Sequence, residues 1–520
     1  MHHKTLIALV GLAFGITVGE YVSYASEIAI ASCLLGFVQV ALYYFEIHHV
    51  RKSELQKTAQ RFSIPLYSGI FFLFIALGII RMQFIEQKSS FVCDSSCTFQ
   101  AMIVGVPKVQ DVYQIFAVRP KVEDEVYDIQ VKAPLYPHFG TGDHLLISGK
   151  VTTPYALMEH GGTKVFDYTR YLRLHNIGSE TLYPKIVQIK IDQTKNFTWD
   201  RFVPRLENIK ETLVTTIGLH VRDPAKALAV GMLFGDSSMS KELTQTFRTV
   251  GLSHIVVLSG FNIAILISFV LFVLMFLPLF VRVFFATMFV ALFVLAVGAE
   301  ASIIRATLMS FIALLALLIG RAYTARQALL LSLLLIILYE PEHLSSDVSL
   351  HLSFLATAGI VYFSESIKNL LSSSVSRVYK EIIASTFSAY LATLPYVMYT
   401  FGTVSVYALL ANIIVLPLVP LSMLITFLIT LLSPLTHIFG ILFGYADTLL
   451  LDTIIFFART IEKLPFSRVE VTISFGEMCV GYGLIIVVFL LLRTRRNDSL
   501  IKNETSKTKD GEIISGIIPY

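Results

Sequence analysis

Gly251-Leu252-Ser253-His254-Ile255-Val256-Val257-Leu258-Ser259-Gly260-Phe261-Asn262 joins a watery half of this chain to a greasy half. Upstream, Asp223-Pro224 reads as the N-cap and first residue of a short helix. A second short helix is predicted from about Ser240 to Val250, and Gly251 is suited to stop it. An apolar run then continues to Phe276, long enough to cross a bilayer. Near its start the run carries His254, Ser259, Gly260 and Asn262. Polar groups at membrane depth are costly and usually face a cavity or another helix. Ser-Gly also loosens a helix locally, which suits a broken helix lining a path. The plainer alternative stays open: a polar helix start at the interface with a small-residue packing contact.

The chain has 520 residues, of which 55% are apolar and 15% charged. That composition predicts a polytopic α-helical membrane protein. A net charge of +4 argues for no particular partner. Cys33 and Cys479 fall in apolar runs and read as packing residues. Cys93 and Cys97 flank Asp94-Ser95-Ser96 just outside a span, where a local disulfide is compatible with an oxidising compartment. No second ligand pair accompanies them, so no metal site is expected. No Walker A, Gly-x-Ser-x-Gly or paired acid/base signature is present, so an enzyme is not expected and no cofactor is called for.

Residues 1–86 read as three spans, about Thr5 to Gly19, Ile28 to Phe45 and Ile64 to Ile85. Arg51, Lys52, Lys57 and Arg61 place the loop before the third span inside, so the N-terminus lies inside and the chain after Glu86 begins outside. Residues 91–200 then change character. Thr98 to Val104, Val112 to Val118, Val126 to Val131 and His144 to Val151 alternate as short strands, and predict an OB-like barrel inserted outside the membrane. Its acidic and basic residues nearly cancel, against a strongly electrostatic nucleic-acid platform. A local DNA-binding stripe of Arg119, Lys121, Lys132 and Lys150, with Tyr113, Phe116, Tyr127 and Tyr136 for stacking, is set against an ordinary solvated face with aromatic core residues. Residues 201–250 read as amphipathic interfacial helices, beginning with Phe202 to His220.

Residues 251–496 hold the remaining spans, read at about Val283 to Val297, Ile303 to Ile319, Gln327 to Tyr339, Val348 to Phe363, Ile382 to Thr400, Val404 to Leu432, Ile438 to Phe457 and Gly476 to Leu492. Alternating sides puts Arg282, Arg321, Arg326, Lys368, Arg377, Lys380, Arg493, Arg495 and Arg496 inside, which gives about 12 spans in all with both termini cytoplasmic. Residues 497–520 form a polar tail. Glu300 and Arg305 open one span at a spacing that does not share a helix face, and an interfacial anchor pair is the plain reading. Arginine lining a pore would suit phosphate. Gly440 and Gly444 predict a packing seam, with Asp447 and Asp452 on the same span.

The opening stretch resembles the signature of the ComEC family, inner-membrane channels that import single-stranded DNA during natural transformation. That signature is Gly-x-x-His, a few apolar residues, then Ser-Gly-Leu-His. Gly251, His254, Ser259 and Gly260 match it, and Asn262 stands where a second histidine is usual. A hydrogen-bonding role survives that change; proton or phosphate handling is not carried over. Further boxes resemble the family in order: Gly161-Gly162 with Phe166-Asp167-Tyr168-Thr169-Arg170-Tyr171-Leu172, Ala225 to Asp236, Ser302 to Met309 around Arg305, His351-Leu352-Ser353-Phe354-Leu355-Ala356, Leu391 to Pro395, and Ala411-Asn412 to Pro417. His351 replaces the family's usual glutamine.

The resemblance implies a cytoplasmic-membrane channel subunit for single-stranded DNA in a bacterium. Its channel-lining set would be His254, Ser259, Gly260, Asn262, Arg305, His351 and Asn412. It implies a separate nuclease, a cytoplasmic ATPase and an extracytoplasmic DNA receptor as partners, besides the lipid bilayer, and a homo-oligomer as an option. The form expected is the one lacking the family's metallo-β-lactamase-like domain, whose His-x-His-x-Asp-His motif this sequence does not contain. A transporter or gated pore for another polyanion or small solute is the alternative. A membrane scaffold with an outer binding module is a third reading, weakened by the polar boxes.

Overall fold

Three apolar helices open the chain: α1 (His2–Tyr21), α2 (Ala25–His49) and α3 (Leu55–Gln83). The computed structural model describes residues 2–489 except 23, 50–54, 84–88, 110–111, 123–125, 155–156, 159–164, 167, 190–198, 236–238, 257–259, 298–300, 322 and 373. A Cβ on Gly15 of α1 would stand 2.2 Å from the Ile75 carbonyl oxygen, and one on Gly78 of α3 would stand 2.5 Å from that of Leu12. Only glycines let these two backbones approach so closely, as in other small-residue membrane seams.

The sheet domain follows as β1 (Cys93–Val109), β2 (Tyr113–Pro120), β3 (Asp128–Pro134), β4 (His144–Val151), β5 (Leu157–Met158), β6 (Val165–Phe166), α4 (Tyr168–Leu174), β7 (Ile177–Leu182) and β8 (Lys185–Ile189). Six strands form one sheet in the order β7-β3-β2-β1-β4-β8. The pairings are antiparallel except β3 with β7. Alternate residues point inward to one core: Phe99, Ala101 and Ile103; Phe116 and Val118; Ile129, Val131 and Ala133; Leu145 and Ile147. Gly105, at φ +78°, lies in the register shift between Val104 and Lys108, a bulge that an L side chain would strain. Thr152 and Glu180 exchange both backbone hydrogen bonds, at 3.0 and 2.8 Å, so the end of β4 reaches β7. The four predicted strands are present; β7 and β8 lack a strong alternating signal and were not predicted.

The chain continues through α5 (Trp199–His220), α6 (Ala225–Phe234), α7 (Lys241–Val250), α8 (Ser253–Val256), α9 (Gly260–Val273), α10 (Leu279–Val297), α11 (Ala301–Leu318) and α12 (Ala325–Tyr339). It ends with α13 (His343–Ser346), α14 (Val348–Leu370), α15 (Arg377–Phe401), β9 (Thr403–Ser405), α16 (Ala408–Val415), α17 (Val419–Leu432), α18 (His437–Glu462) and β10 (Arg468–Glu470), and an apolar helix over Phe475–Phe489. Gly251 ends α7 at φ +79°, as the sequence predicts, and Ser240 caps its start by accepting from Leu243 N at 3.3 Å. The start of α6 differs: Pro224 takes the N-cap position with no side-chain cap, so Asp223 does not serve as one.

Among the described residues, six helices are long and apolar enough to cross a membrane, and a seventh span results if α16 and α17 count as one. This is a multi-pass membrane protein with a separate mixed-sheet domain. Several further apolar segments read as spans form helices of only 10–17 residues, Ala325–Tyr339 and Asn262–Val273 among them. The single span predicted from Val404 to Leu432 is instead a strand and two helices. Pro417 cannot donate a backbone hydrogen bond, and the chain turns over residues 416–418.

The chain divides into two compact units, one of Met1–Met239, Ile255–His351 and Ser422–Leu451, the other of Ser240–His254, Leu352–Leu421 and Asp452–Tyr520. In the first, the end of α5 lies in the predicted seam of α18: a Cβ on Gly444 would meet the His220 carbonyl oxygen at 2.6 Å. In the second, α14 crosses α15 at Gly359, where a Cβ would stand 2.4 Å from the Ser388 carbonyl oxygen.

Candidate functional site

Some of the boxes picked out in the sequence meet within a unit. In the second unit, Gly251 fits against α16, where a Cβ would stand 2.7 Å from that of Ala408 and 3.2 Å from the Ser405 side chain. With Gly251 in the left-handed region, the next turn carries His254 alongside Asn412. Asn412 Nδ2 donates to the Ala408 carbonyl at 2.8 Å, while its buried Oδ1 has no hydrogen bond of good geometry. The neighbouring His254 ring carries an N–H of the kind that this oxygen accepts. Two boxes far apart in sequence, Gly-x-x-His and Ala-Asn, are therefore one packed feature.

In the first unit, Gly260 at the start of α9 faces α11. A Cβ there would stand 3.2 Å from that of Ala306 and 3.3 Å from Nη2 of Arg305. Arg305 is buried, at 8% exposure. Asn262, also buried, donates from Nδ2 to the Met232 carbonyl at 3.0 Å, tying α9 to α6. Met232 belongs to the box preceding the Gly-Asp pair, and no side-chain signal in the sequence marks its carbonyl as an acceptor. A hydrogen-bonding role for Asn262 thus has a visible partner.

Ser259 and Glu300 lie outside the described residues, as do Gly161, Gly162 and Asp167. His351 Nε2 donates to the Leu344 carbonyl at 2.6 Å, so this ring ties the start of α14 to α13. Beside it, His343 contacts Glu340 at 2.6 Å and Asp347 at 2.7 Å. Burial alone would lower the His343 pKa, but hydrogen bonds to Asp347 and then Glu340, with their charges, raise it to about 9. Burial would raise the Asp347 pKa; His343 and the backbone N–H groups of Leu350 and Ser349 hold it below the usual value.

Two of the four cations of the stripe, Arg119 and Lys132, contact other side chains of the domain. Arg119 pairs with Asp128 at 3.0 Å, and the Lys132 ammonium sits 3.9 Å above the Tyr113 ring. Phe116 is core at 3% exposure, and Tyr127 packs where a Cβ on Gly178 would fall. Lys121, Lys150 and Tyr136 remain exposed. Cys93 and Cys97 are free thiols beside one another in a bulge of β1, with Cys93 Sγ 2.8 Å from the Ser95 carbonyl. Burial, then Cys93, pushes the Cys97 thiol up to about 11, which disfavours the thiolate that disulfide formation requires. No group of three or more His, Cys, Asp or Glu residues fit to hold a metal occurs among the described residues.

The family described as Competence protein matches residues 232–496. ComE operon protein 3 of Bacillus subtilis (strain 168) is similar, at 23% identity over 357 residues, which are 67% of this chain and 44% of that protein. The matched region thus spans less than half of that relative's length. No solved structure matches.

Proposed function

This chain belongs to the Competence family, that of the ComEC proteins, and we propose that it is the cytoplasmic-membrane channel subunit through which single-stranded DNA enters during natural transformation. The observation that carries the reading is Arg305 held in the membrane half against Gly260, at the meeting of two family boxes. A strand carries a phosphate at every nucleotide, and each must cross a region hostile to bare charge. One arginine with a neutral hydrogen-bonding neighbour on the same unit, here Asn262, favours passage over trapping. On this reading the chain passes about 12 times through the bilayer, some passes being short or broken helices. On the same reading the sheet domain is an OB-like barrel outside, which the backbone pairing of Thr152 with Glu180 supports.

The chain itself is not an enzyme on this reading. A separate nuclease would degrade the second strand, a cytoplasmic ATPase would supply energy, and an outer receptor would deliver the DNA.

Labelled DNA uptake in a deletion strain complemented with variants tests the proposal. Arg305→Ala is expected to reduce uptake at least about tenfold with normal protein level, and Arg305→Lys to be intermediate, because it keeps charge but loses the planar fork. Parental uptake by both variants would leave Arg305 as an anchor only. The outside placement of the sheet predicts that a cysteine at Thr141 reacts with an impermeant thiol reagent in intact cells; labelling only after lysis would reverse the orientation.

A further inference from the structure

Asp447 and Asp452 stand five residues apart on α18 and have opposite surroundings. Asp452 is exposed, whereas Asp447 is fully buried at 0%. Ten residues into a helix suited to span the membrane, Asp447 lies about 15 Å from its start, near the middle of a hydrocarbon layer of about 30 Å. A bare carboxylate is costly there, and it needs a paired cation or a proton.

No cation is hydrogen-bonded or ion-paired to Asp447 among the described residues. Its two partners are hydroxyls of α17: Ser422 Oγ at 2.6 Å from Oδ1 and Thr426 Oγ1 at 2.6 Å from Oδ2. Both are themselves fully buried. Thr426 Oγ1 also lies 3.0 Å from the Ser422 backbone carbonyl. A carbonyl only accepts, and a hydroxyl has one proton to give. When Thr426 donates to that carbonyl, its contact with Oδ2 is a hydrogen bond only if Oδ2 carries a proton. When Thr426 turns to Oδ2, both hydroxyls donate and the carboxylate form is solvated by the protein. The same oxygens thus serve either protonation state with only hydroxyl rotations. A metal ion is a poorer fit, because oxygens sharing a cation stand farther apart than hydrogen-bonded ones.

We propose that Asp447, with Ser422 and Thr426, is an exchangeable proton-binding site within the membrane-spanning part of the chain. The site does not depend on what crosses the membrane. In the loaded state the proton is on Oδ2 and bonded to Thr426 Oγ1. On release it passes to water, Thr426 redirects its own proton to Oδ2, and the carboxylate is left with two donors.

α5 carries Asp200, Arg201, Arg205, Glu207, Lys210 and Glu211, all nine or more residues before its end, where His220 stands. His220, at the end of α5, sits on the Gly440 and Gly444 face one helical turn from Asp447. Its ring stands 5.1 Å from that of His437, and burial, then His437, lowers its pKa, so it is neutral near pH 7 and able to accept a proton. α17 and α9 carry no charged residue, and α10 carries Arg282 alone, in its first turn. Phe427 of α17 meets Phe269 of α9 and Phe289 of α10, so these are apolar walls.

Infrared difference spectroscopy on the full chain in vesicles of zwitterionic lipid tests this, titrated between about pH 4 and about pH 9. A carboxylic-acid C=O band is expected that disappears as pH rises and is missing in Asp447→Asn. That variant is isosteric and keeps both hydroxyl contacts. Asp447→Glu, which moves the band rather than abolishing it, secures the assignment independently. Ser422→Ala with Thr426→Val removes both donors to the carboxylate and is expected to raise the midpoint by at least about one pH unit. A parent without the band, a band that does not titrate, or a midpoint unmoved in the double variant would each overturn the proposal.

Discussion

Arg170 of α4 donates from Nη2 to Oε1 of Glu20, in the last turn of α1, and also reaches Ser345 Oγ at 2.7 Å. One side chain from the closing segment of the sheet domain thus holds the end of a membrane helix and the α13 turn together. The Arg170 side chain is 41% exposed, so the pair itself contributes modestly, about 1 kcal/mol or less. Its value is in fixing the domain's attachment. In a double-mutant cycle of Arg170→Met and Glu20→Gln, the expected coupling is about 0.5–1 kcal/mol. Limited proteolysis should cut between the sheet domain and the helices faster in both single variants; additive, unaltered behaviour would show that the contact does not dock the domain.

Gly440 and Gly444 predict unequal costs. A Cβ on Gly444 meets the His220 backbone oxygen at 2.6 Å, which cannot give way without moving α5. A Cβ on Gly440 meets the His220 ring, Cε1 at 2.3 Å, which can rotate. Gly444→Ala is expected to lower stability by about 2–3 kcal/mol and Gly440→Ala by about 1. Thermal unfolding in detergent measures both, and the reverse ranking would refute the seam as described.

Asn262 tests whether the family's usual histidine and this asparagine do the same work. Asn262→Leu removes the donor to the Met232 carbonyl and is expected to cost about 1–2 kcal/mol. Asn262→His restores an N–H donor and is expected to recover most of the folded yield. If histidine is as damaging as leucine, the hydrogen bond to α6 is not what this position supplies.

His343 gives a pH dependence with a definite sign. Its folded pKa, about 9, lies above the ordinary imidazole value, so the folded state binds the proton more tightly. The resulting stabilisation is complete below about pH 6.5 and is lost as pH rises through about 9, amounting to roughly 3 kcal/mol. The parent's Tm should therefore fall between those values more steeply than that of His343→Gln. Parallel curves would mean that the ring is not protonated between Glu340 and Asp347.

The sequence by itself determined the membrane class, the family, and the elements whose signals are local. β4 was read at His144 to Val151 and is found there, because alternation reports a strand half-buried in its own core. Ser240 and Gly251 bound α7 because capping chemistry acts within a few residues. The tertiary structure alone decided what depends on partners far along the chain. β7 joins β3 in parallel through a pairing about fifty residues distant, and its own residues carry little of that signal. Arg119 and Lys132 look free in sequence until Asp128 and Tyr113 engage them. Asp447 and Asp452 are the same residue type on the same helix, yet only one meets Ser422 and Thr426 and is buried. Periodicity tells which way a side chain points along its own element; burial, pairing and protonation are set by what arrives from the other side.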